Sequence, residues 1–210
     1  MAKMLYQGHG SYRFTLNDGT VVYVDPFAGE GYDVPADLVL VTHEHGDHNQ
    51  VGKMPHADGC EIIRARDVLP APGDYRTTES HGVRITAVQA CNKNHPIDQC
   101  VGMLLEFDGI TFYASGDTSM TDDMKSGKLA EAGIDYAAFP GDGFYNMDVD
   151  EASECAKLVA ARHSIPVHLV PVDDPSNPKQ MFSRERAEAF QAAGRIIMEP
   201  GDELELKPLA

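Results

Sequence analysis

Short hydrophobic runs separated by turn residues occupy the first half of the chain. Runs of β-branched, aromatic and aliphatic residues bounded by Gly, Asn and Asp are typical of strands. The segment 38–41 is apolar throughout, as expected of a strand that is buried on both faces. The pairs Asp18-Gly19 and Asp108-Gly109 predict hairpin turns. The first half thus predicts strands at residues 4–7, 12–16, 21–24, 38–41, 61–65, 83–88, 101–107 and 110–114.

The second half alternates segments of helical composition with short apolar runs. Helices are predicted at residues 122–132, 151–162 and 184–193. Asp148 is a capping residue ahead of the second, and Gly133 and Gly194 end the other two. Strands are predicted at residues 136–139, 165–170, 195–198 and 203–206. Strands first and mixed elements afterwards predict one layered α/β domain over residues 1–210, with its helices outside.

Composition narrows the classes of partner. The 210 residues are 42% hydrophobic, enough for the core of a single domain, and the formal net charge is −16. Such a charge repels phosphate backbones and anionic lipid, so we expect no nucleic-acid partner and no membrane partner. No apolar run has the length of a signal peptide or a membrane span, and we expect a cytoplasmic protein. Self-association into a homo-oligomer stays open, because no stripe of residues marks an interface.

Four ligand-type side chains fall within six residues directly after the buried strand at 38–41. They are His43, His45, Asp47 and His48, with Gly46 between them to allow a sharp turn. Imidazole nitrogens and carboxylate oxygens bind Zn²⁺ at about 2.0–2.2 Å, and the same mixed set accepts Mn²⁺ or Fe²⁺. The alternative is a polar loop with incidental histidines, but the ordered spacing favours a metal site.

This segment resembles the signature of the metallo-β-lactamase superfamily. Asp25-Pro26-Phe27 and Ser115-Gly116-Asp117-Thr118 resemble two further motifs of that family, and Ile165-Pro166-Val167-His168 resembles the step that carries its last metal histidine. The run from Ile134 to Gly143, with Met147, is similar to the subgroup that includes ascorbate-6-phosphate lactonase. The resemblance implies an αββα four-layer sandwich and two divalent metal ions, zinc or manganese, with iron as a chemical alternative.

The resemblance also implies a ligand set. One metal would take His43, His45 and His95, the second would take Asp47, His48 and His168, and Asp117 would bridge them. His95 has a competitor in His81, which also precedes a predicted strand; we prefer His95 for its distance from the hairpin at 101–114. The alternative for His168 is a core histidine with satisfied hydrogen bonds.

The implied chemistry is hydrolysis. Two ions would lower the pKa of a shared water to about 7 and so supply hydroxide, while Asp47 or Asp117 passes the proton to the leaving group. The substrate is expected to be a small lactone, ester or phosphoester, with His9, Asp142 and Tyr145 as candidate binding residues. Carboxylates at Asp142, Asp173 and Asp174 would disfavour a phosphorylated substrate unless they face away.

Two other functions fit the same residues. The first is an iron-dependent redox enzyme of this fold that acts on oxygen or a persulfide, although the oxygen-reducing branch usually has glutamate at the position of His45. The second is a non-catalytic metal-binding protein, against which the complete ligand set argues.

Overall fold

Two six-stranded sheets form the centre of the structure, a computed structural model that describes residues 1–174, 176–177 and 181–208. The first sheet has the order β12-β1-β2-β3-β4-β5. Its strands β12, β1, β2 and β3 pair antiparallel, and β3, β4 and β5 pair parallel. Their bounds are β1 Lys3–Gly8, β2 Ser11–Thr15, β3 Val21–Val24, β4 Ala36–Val41, β5 His56–Arg64 and β12 Glu203–Glu205.

The second sheet repeats this plan, in the order β11-β10-β9-β8-β7-β6. Strands β6 to β9 pair antiparallel, and β9, β10 and β11 pair parallel. Their bounds are β6 Thr77–Ser80, β7 Val83–Gln89, β8 Val101–Phe107, β9 Ile110–Ala114, β10 Tyr136–Pro140 and β11 His163–Val167.

The main core lies between the two sheets, because one cluster of buried side chains draws on strands of both, including Phe14 and Leu40 from the first and Met103 and Phe112 from the second. The outer face of the second sheet is covered by helix α3. The α-helices within the described residues are α1 Ala65–Val68, α2 Asp122–Lys125, α3 Val149–Val159 and α4 Arg184–Ala189. The predicted α/β sandwich is confirmed.

Several predicted boundaries are wrong. The helix predicted at 122–132 is α2 followed by a 3-10 turn, Ala130–Ala132, because Gly127 between them has a φ of 85° that no α-helix accommodates. The helix predicted at 184–193 ends at Ala189, where Phe190 turns extended and is buried near Phe139. Within the strand predicted at 195–198, only Arg195 pairs, through a single bridge to Ser164.

Two elements had no clear signal in the sequence. The edge strand β6 and the one-turn helix α1 have four residues each, which is too few to show a hydrophobic period. None of the helices in the described part of the chain is long and apolar enough to cross a bilayer.

Candidate metal centre

All the candidate side chains lie at one edge of the sandwich. Strands β1, β3 and β4 run in the same direction in the first sheet, and β7, β9, β10 and β11 run in the same direction in the second. The loops that follow these strands meet at their carboxyl ends. They carry His9, Asp25, the segment 43–48, His95, Asp117, Asp142 and His168.

Two groups of ligand atoms form at this edge. One ring nitrogen from each of His43, His45 and His95 falls within 4.8 Å of the others. A second group, also within 4.8 Å, joins Asp47 and His48 to His168 and His9. Most of these side chains are buried, whereas His45 is exposed. The structure therefore brings together the two sets that the sequence predicts, and adds His9 to the second.

Asp117 lies between the two groups. Its Oδ1 is 3.3 Å from His48 Nε2, and its Oδ2 is 3.3 Å from both His95 Nε2 and His168 Nε2. His43 Nε2 is 3.9 Å from the same Oδ2. The carboxylate is buried at the end of β9, so a single side chain contacts both groups, as a bridging ligand must.

The electrostatics of this cluster favour positive charge at its centre. Burial would raise the pKa of the Asp117 carboxyl, but His168 and His48 hold it well below its ordinary value. Burial lowers the pKa of His43 well below its ordinary value, which keeps that ring neutral and its lone pair available. Burial would also lower the pKa of His168, but Asp117 and Asp142 raise it to about 9. The Asp117 carboxylate thus attracts positive charge, since against the effect of burial it also raises the pKa of His48 well above its ordinary value.

The Nε2 atoms of the buried histidines provide a test of whether these residues fit metal ions. Buried polar atoms normally have partners. The atoms in question belong to His43, His48, His95 and His168. All of them point at Asp117, but none has a hydrogen-bond partner among the described residues. Imidazole nitrogens without hydrogen-bond partners, grouped around a carboxylate, are the donor set of a divalent cation such as Zn²⁺.

The far ring nitrogens are held by other side chains. His48 Nδ1 is 3.0 Å from Asp25 Oδ2, and His43 Nδ1 is 3.0 Å from the Thr42 hydroxyl. His95 Nδ1 is 2.7 Å from the side-chain oxygen of Asn92. A partner on Nδ1 fixes the tautomer and leaves Nε2 bare for a metal.

Asp25 supports this cluster, a role that its sequence motif alone does not predict. It is buried after β3, where its carboxylate also accepts hydrogen bonds from the backbone N–H of Thr42 at 2.8 Å and from the Thr42 hydroxyl at 2.6 Å. Its φ of 45° is uncommon for a non-glycine residue. The Asp25-Pro26 pair at a strand end was the available signal.

His168 does not lie in a strand, contrary to the prediction for residues 165–170. Strand β11 ends at Val167, and His168 follows with a φ of 45° while its N–H donates to the carbonyl of His9 at 2.8 Å. This turn aims the imidazole inward. Gly10 permits the close approach, since a Cβ there would lie 2.8 Å from His48 Cε1.

Asp142, a candidate substrate-binding residue, lies behind His168 and does not line the cleft. It is 1% exposed, its Oδ2 is 3.3 Å from His168 Nδ1, and its Oδ1 accepts hydrogen bonds from the N–H groups of Phe144 and Tyr145. Because this carboxylate faces away from the cleft, it adds no negative charge to the cleft surface.

His9 does not line the cleft either. It is fully buried, its Nε2 is 3.0 Å from Asp47 Oδ2, and its ring lies 3.5 Å from the ring of His168. The competitor His81 is remote from the cluster: it occupies the turn between β6 and β7, where its Nε2 is 3.2 Å from the carbonyl oxygen of Gly59.

An open cleft of about 330 Å³ gives access to the cluster. Tyr145, a candidate substrate-binding residue, lines it, and its hydroxyl donates to Asp173 at 2.8 Å. A second cavity of about 290 Å³ lies on the other side of His45. The side chains that line the first cleft are His45, Asp47, Asn94, His95, Asp117, Tyr145, His168 and Val172.

Comparisons with known proteins agree with this geometry. Residues 3–168 match a family profile described as a β-lactamase superfamily domain. The chain is 30% identical to a protein of Thermococcus kodakarensis named UPF0173 metal-dependent hydrolase, over 98% of this chain and 100% of that one.

Two solved structures share the fold. Igni18, a metallo hydrolase from Ignicoccus hospitalis, is 21% identical over 98% of this chain and 99% of its own, with a TM-score of 0.68. CmlA, a diiron β-hydroxylase from Streptomyces venezuelae, is 15% identical over 98% of this chain and 54% of its own, also with a TM-score of 0.68. The fold therefore occurs with both hydrolytic and oxidative chemistry.

Proposed function

Because this chain belongs to the metallo-β-lactamase superfamily and to the UPF0173 family of metal-dependent hydrolases, we propose that it uses two divalent metal ions to hydrolyse a small lactone or other ester. The observation that carries this proposal is the set of buried, unpaired Nε2 atoms that converge on Asp117 from both sheets.

The residues divide into two metal subsites. His43, His45 and His95 form the first, and Asp47, His48 and His168 form the second; Asp117 contacts both groups. The mixed nitrogen and oxygen donors suit Zn²⁺ or Mn²⁺. Such ions, when bound, supply hydroxide at neutral pH and polarise a substrate oxygen.

We assign proton transfer to Asp47 in preference to Asp117. Both Asp117 oxygens are within 3.3 Å of imidazole nitrogens and its side chain is 5% exposed, so it has little freedom to exchange a proton. The Asp47 side chain is 16% exposed and lines the cleft. The His9 contact fixes its Oδ2, which leaves Oδ1 to take the proton and deliver it to the leaving oxygen.

The cleft favours an uncharged substrate. Among the described residues that line it, none is Lys or Arg, whereas Asp47 and Asp117 are both acidic. Tyr145 and Val172 offer apolar surface at its mouth. A phosphate group would have no protein cation to pair with, so a neutral lactone or ester fits better than a phosphoester or a phosphorylated lactone.

The test is a metal analysis followed by a substrate screen. Elemental analysis of the purified protein should find zinc or manganese, and the metal-loaded protein should hydrolyse neutral lactones or esters faster than phosphodiesters. Bound iron with oxygen consumption and no hydrolysis would instead support the redox alternative. Two bound ions without turnover on any ester, lactone or phosphodiester would identify a non-catalytic metal protein.

A further inference from the structure

A chain of side-chain contacts runs behind the metal subsites, from His95 to His168. His95 Nδ1 donates to Asn92 Oδ1 at 2.7 Å, and Asn92 Nδ2 donates to Asn146 Oδ1 at 2.9 Å. Asn146 Nδ2 donates to Asp142 Oδ2 at 2.9 Å, and this oxygen is 3.3 Å from His168 Nδ1. Asn146, Asp142 and both histidines are buried.

The direction of this chain follows from its chemistry. Asp142 is the carboxylate at one end, so every donor in the series points toward it. Each asparagine accepts with its oxygen and donates with its nitrogen, and the series is satisfied only when His95 carries its proton on Nδ1. A proton on Nδ1 of His168 likewise suits the facing carboxylate. Both histidines then present bare Nε2 atoms to Asp117.

The contacts join loops that are distant within the second sheet. Asn92 and His95 follow β7, whereas Asp142 and Asn146 follow β10, and strands β8 and β9 separate these two in the sheet. Asn146 contacts neither histidine directly. It is the link between one residue that supports the first subsite and another that supports the second.

We propose that Asn146 is a positioning residue for both metal subsites. Its amide would orient His95 of the first subsite through Asn92, and His168 of the second subsite through Asp142. This inference rests on the proposed two-metal hydrolase. It predicts that removal of the Asn146 amide weakens both subsites together, although neither loses a ligand.

The test is a Zn²⁺ titration of the full-length metal-free protein against a competing chelator, with the absorption spectrum of the Co²⁺-loaded protein as the report on coordination geometry. Asn146→Ala should lower the affinity of both subsites by about 10- to 100-fold, the usual effect of losing a group that orients a ligand, and should change the Co²⁺ spectrum. Arg186 donates to the carbonyl of Asp142, so the loop keeps another tether. Should the alanine variant not fold, Asn146→Leu retains the volume and loses the same hydrogen bonds.

Asn94→Ala is the matched control. The Asn94 amide also joins the two loops, donating to the carbonyl of Tyr145 at 2.8 Å, but its side chain contacts no histidine that faces the metals. It should leave both Zn²⁺ affinities within about twofold of wild type. Unchanged affinities in Asn146→Ala, a loss at one subsite alone, or an equal loss in Asn94→Ala would overturn the proposal. A wild-type protein that binds two Zn²⁺ without hydrolysing any ester would refute the proposed function and leave this inference standing.

Discussion

The two sheets contribute to the metal centre in different ways. The first sheet concentrates its ligands on one loop after β4, whereas the second supplies His95, Asp117 and His168 from three separate loops. The first set is a compact motif in the sequence, and the second is assembled only by the parallel course of β7, β9 and β11. A short motif can thus reveal a site without revealing the ligands that come from other loops.

The support behind the ligands differs in the same way. On the first sheet a single carboxylate, Asp25, takes hydrogen bonds from Thr42 and faces His48. On the second sheet the support is spread over Asn92, Asn146 and Asp142. Loss of one supporting group should therefore lower the free energy of unfolding more on the first sheet than on the second.

The largest effect is expected from loss of the Asp117 charge, because this carboxylate contacts both groups of ligands. Asp117→Asn keeps the shape of the side chain and removes the charge that both subsites share. Metal content should fall below two ions per chain, and ester hydrolysis should fall by on the order of a thousandfold or more. Elemental analysis and steady-state kinetics measure the two effects. A variant that keeps both ions would rule out the bridging role.

The second-largest effect is expected from the loss of the Asp25 carboxylate, which supports the ligand loop of the first sheet. Asp25→Ala leaves the buried Thr42 N–H and hydroxyl and His48 Nδ1 without their acceptor. The free energy of unfolding of the metal-free protein should fall by about 3 kcal/mol, and Zn²⁺ affinity at the second subsite by about 10- to 100-fold. Denaturant unfolding and chelator competition test this, with Asp25→Asn as the milder comparison. A loss of unfolding free energy no larger than that of Asn146→Ala would contradict the contrast between the sheets.

A smaller effect is expected at Gly10. Gly10→Ala would place a Cβ 2.8 Å from His48 Cε1 and push that ring aside, at a cost of about 1–2 kcal/mol in stability and about tenfold in Zn²⁺ affinity at the second subsite. Gly46→Ala, in the metal-binding loop itself, is the control, because a Cβ there meets nothing within 4 Å. Similar behaviour of the two variants would show that close packing against His48 does not matter.

The sequence predicted the parts of the fold that depend on local hydrophobic pattern. The strands at 101–107 and 110–114 coincide with β8 and β9, and the motif after β4 was recognisable because its ligands lie within six residues. The broken helix after Asp122 was not predicted, since Gly127 takes a backbone conformation that composition does not reveal.

The backbone conformations that orient the ligand side chains were less predictable than the identity of those ligands. The sequence assigned the sharp turn to Gly46, yet left-handed backbone at this edge occurs at Gly116 and at the non-glycine residues His9, Asp25 and His168. Such conformations are held by tertiary contacts, such as the bond between the His168 N–H and the His9 carbonyl. The support through Asn92 and Asn146 has no local signal either, because it joins loops that are distant in the chain.

An anomalous-scattering map of crystals grown with Zn²⁺ would locate the bound ions. Two peaks are expected on either side of Asp117, one bounded by His43, His45 and His95 and the other by Asp47, His48 and His168. A single peak, or two peaks away from the carboxylate of Asp117, would contradict the proposed two-metal site.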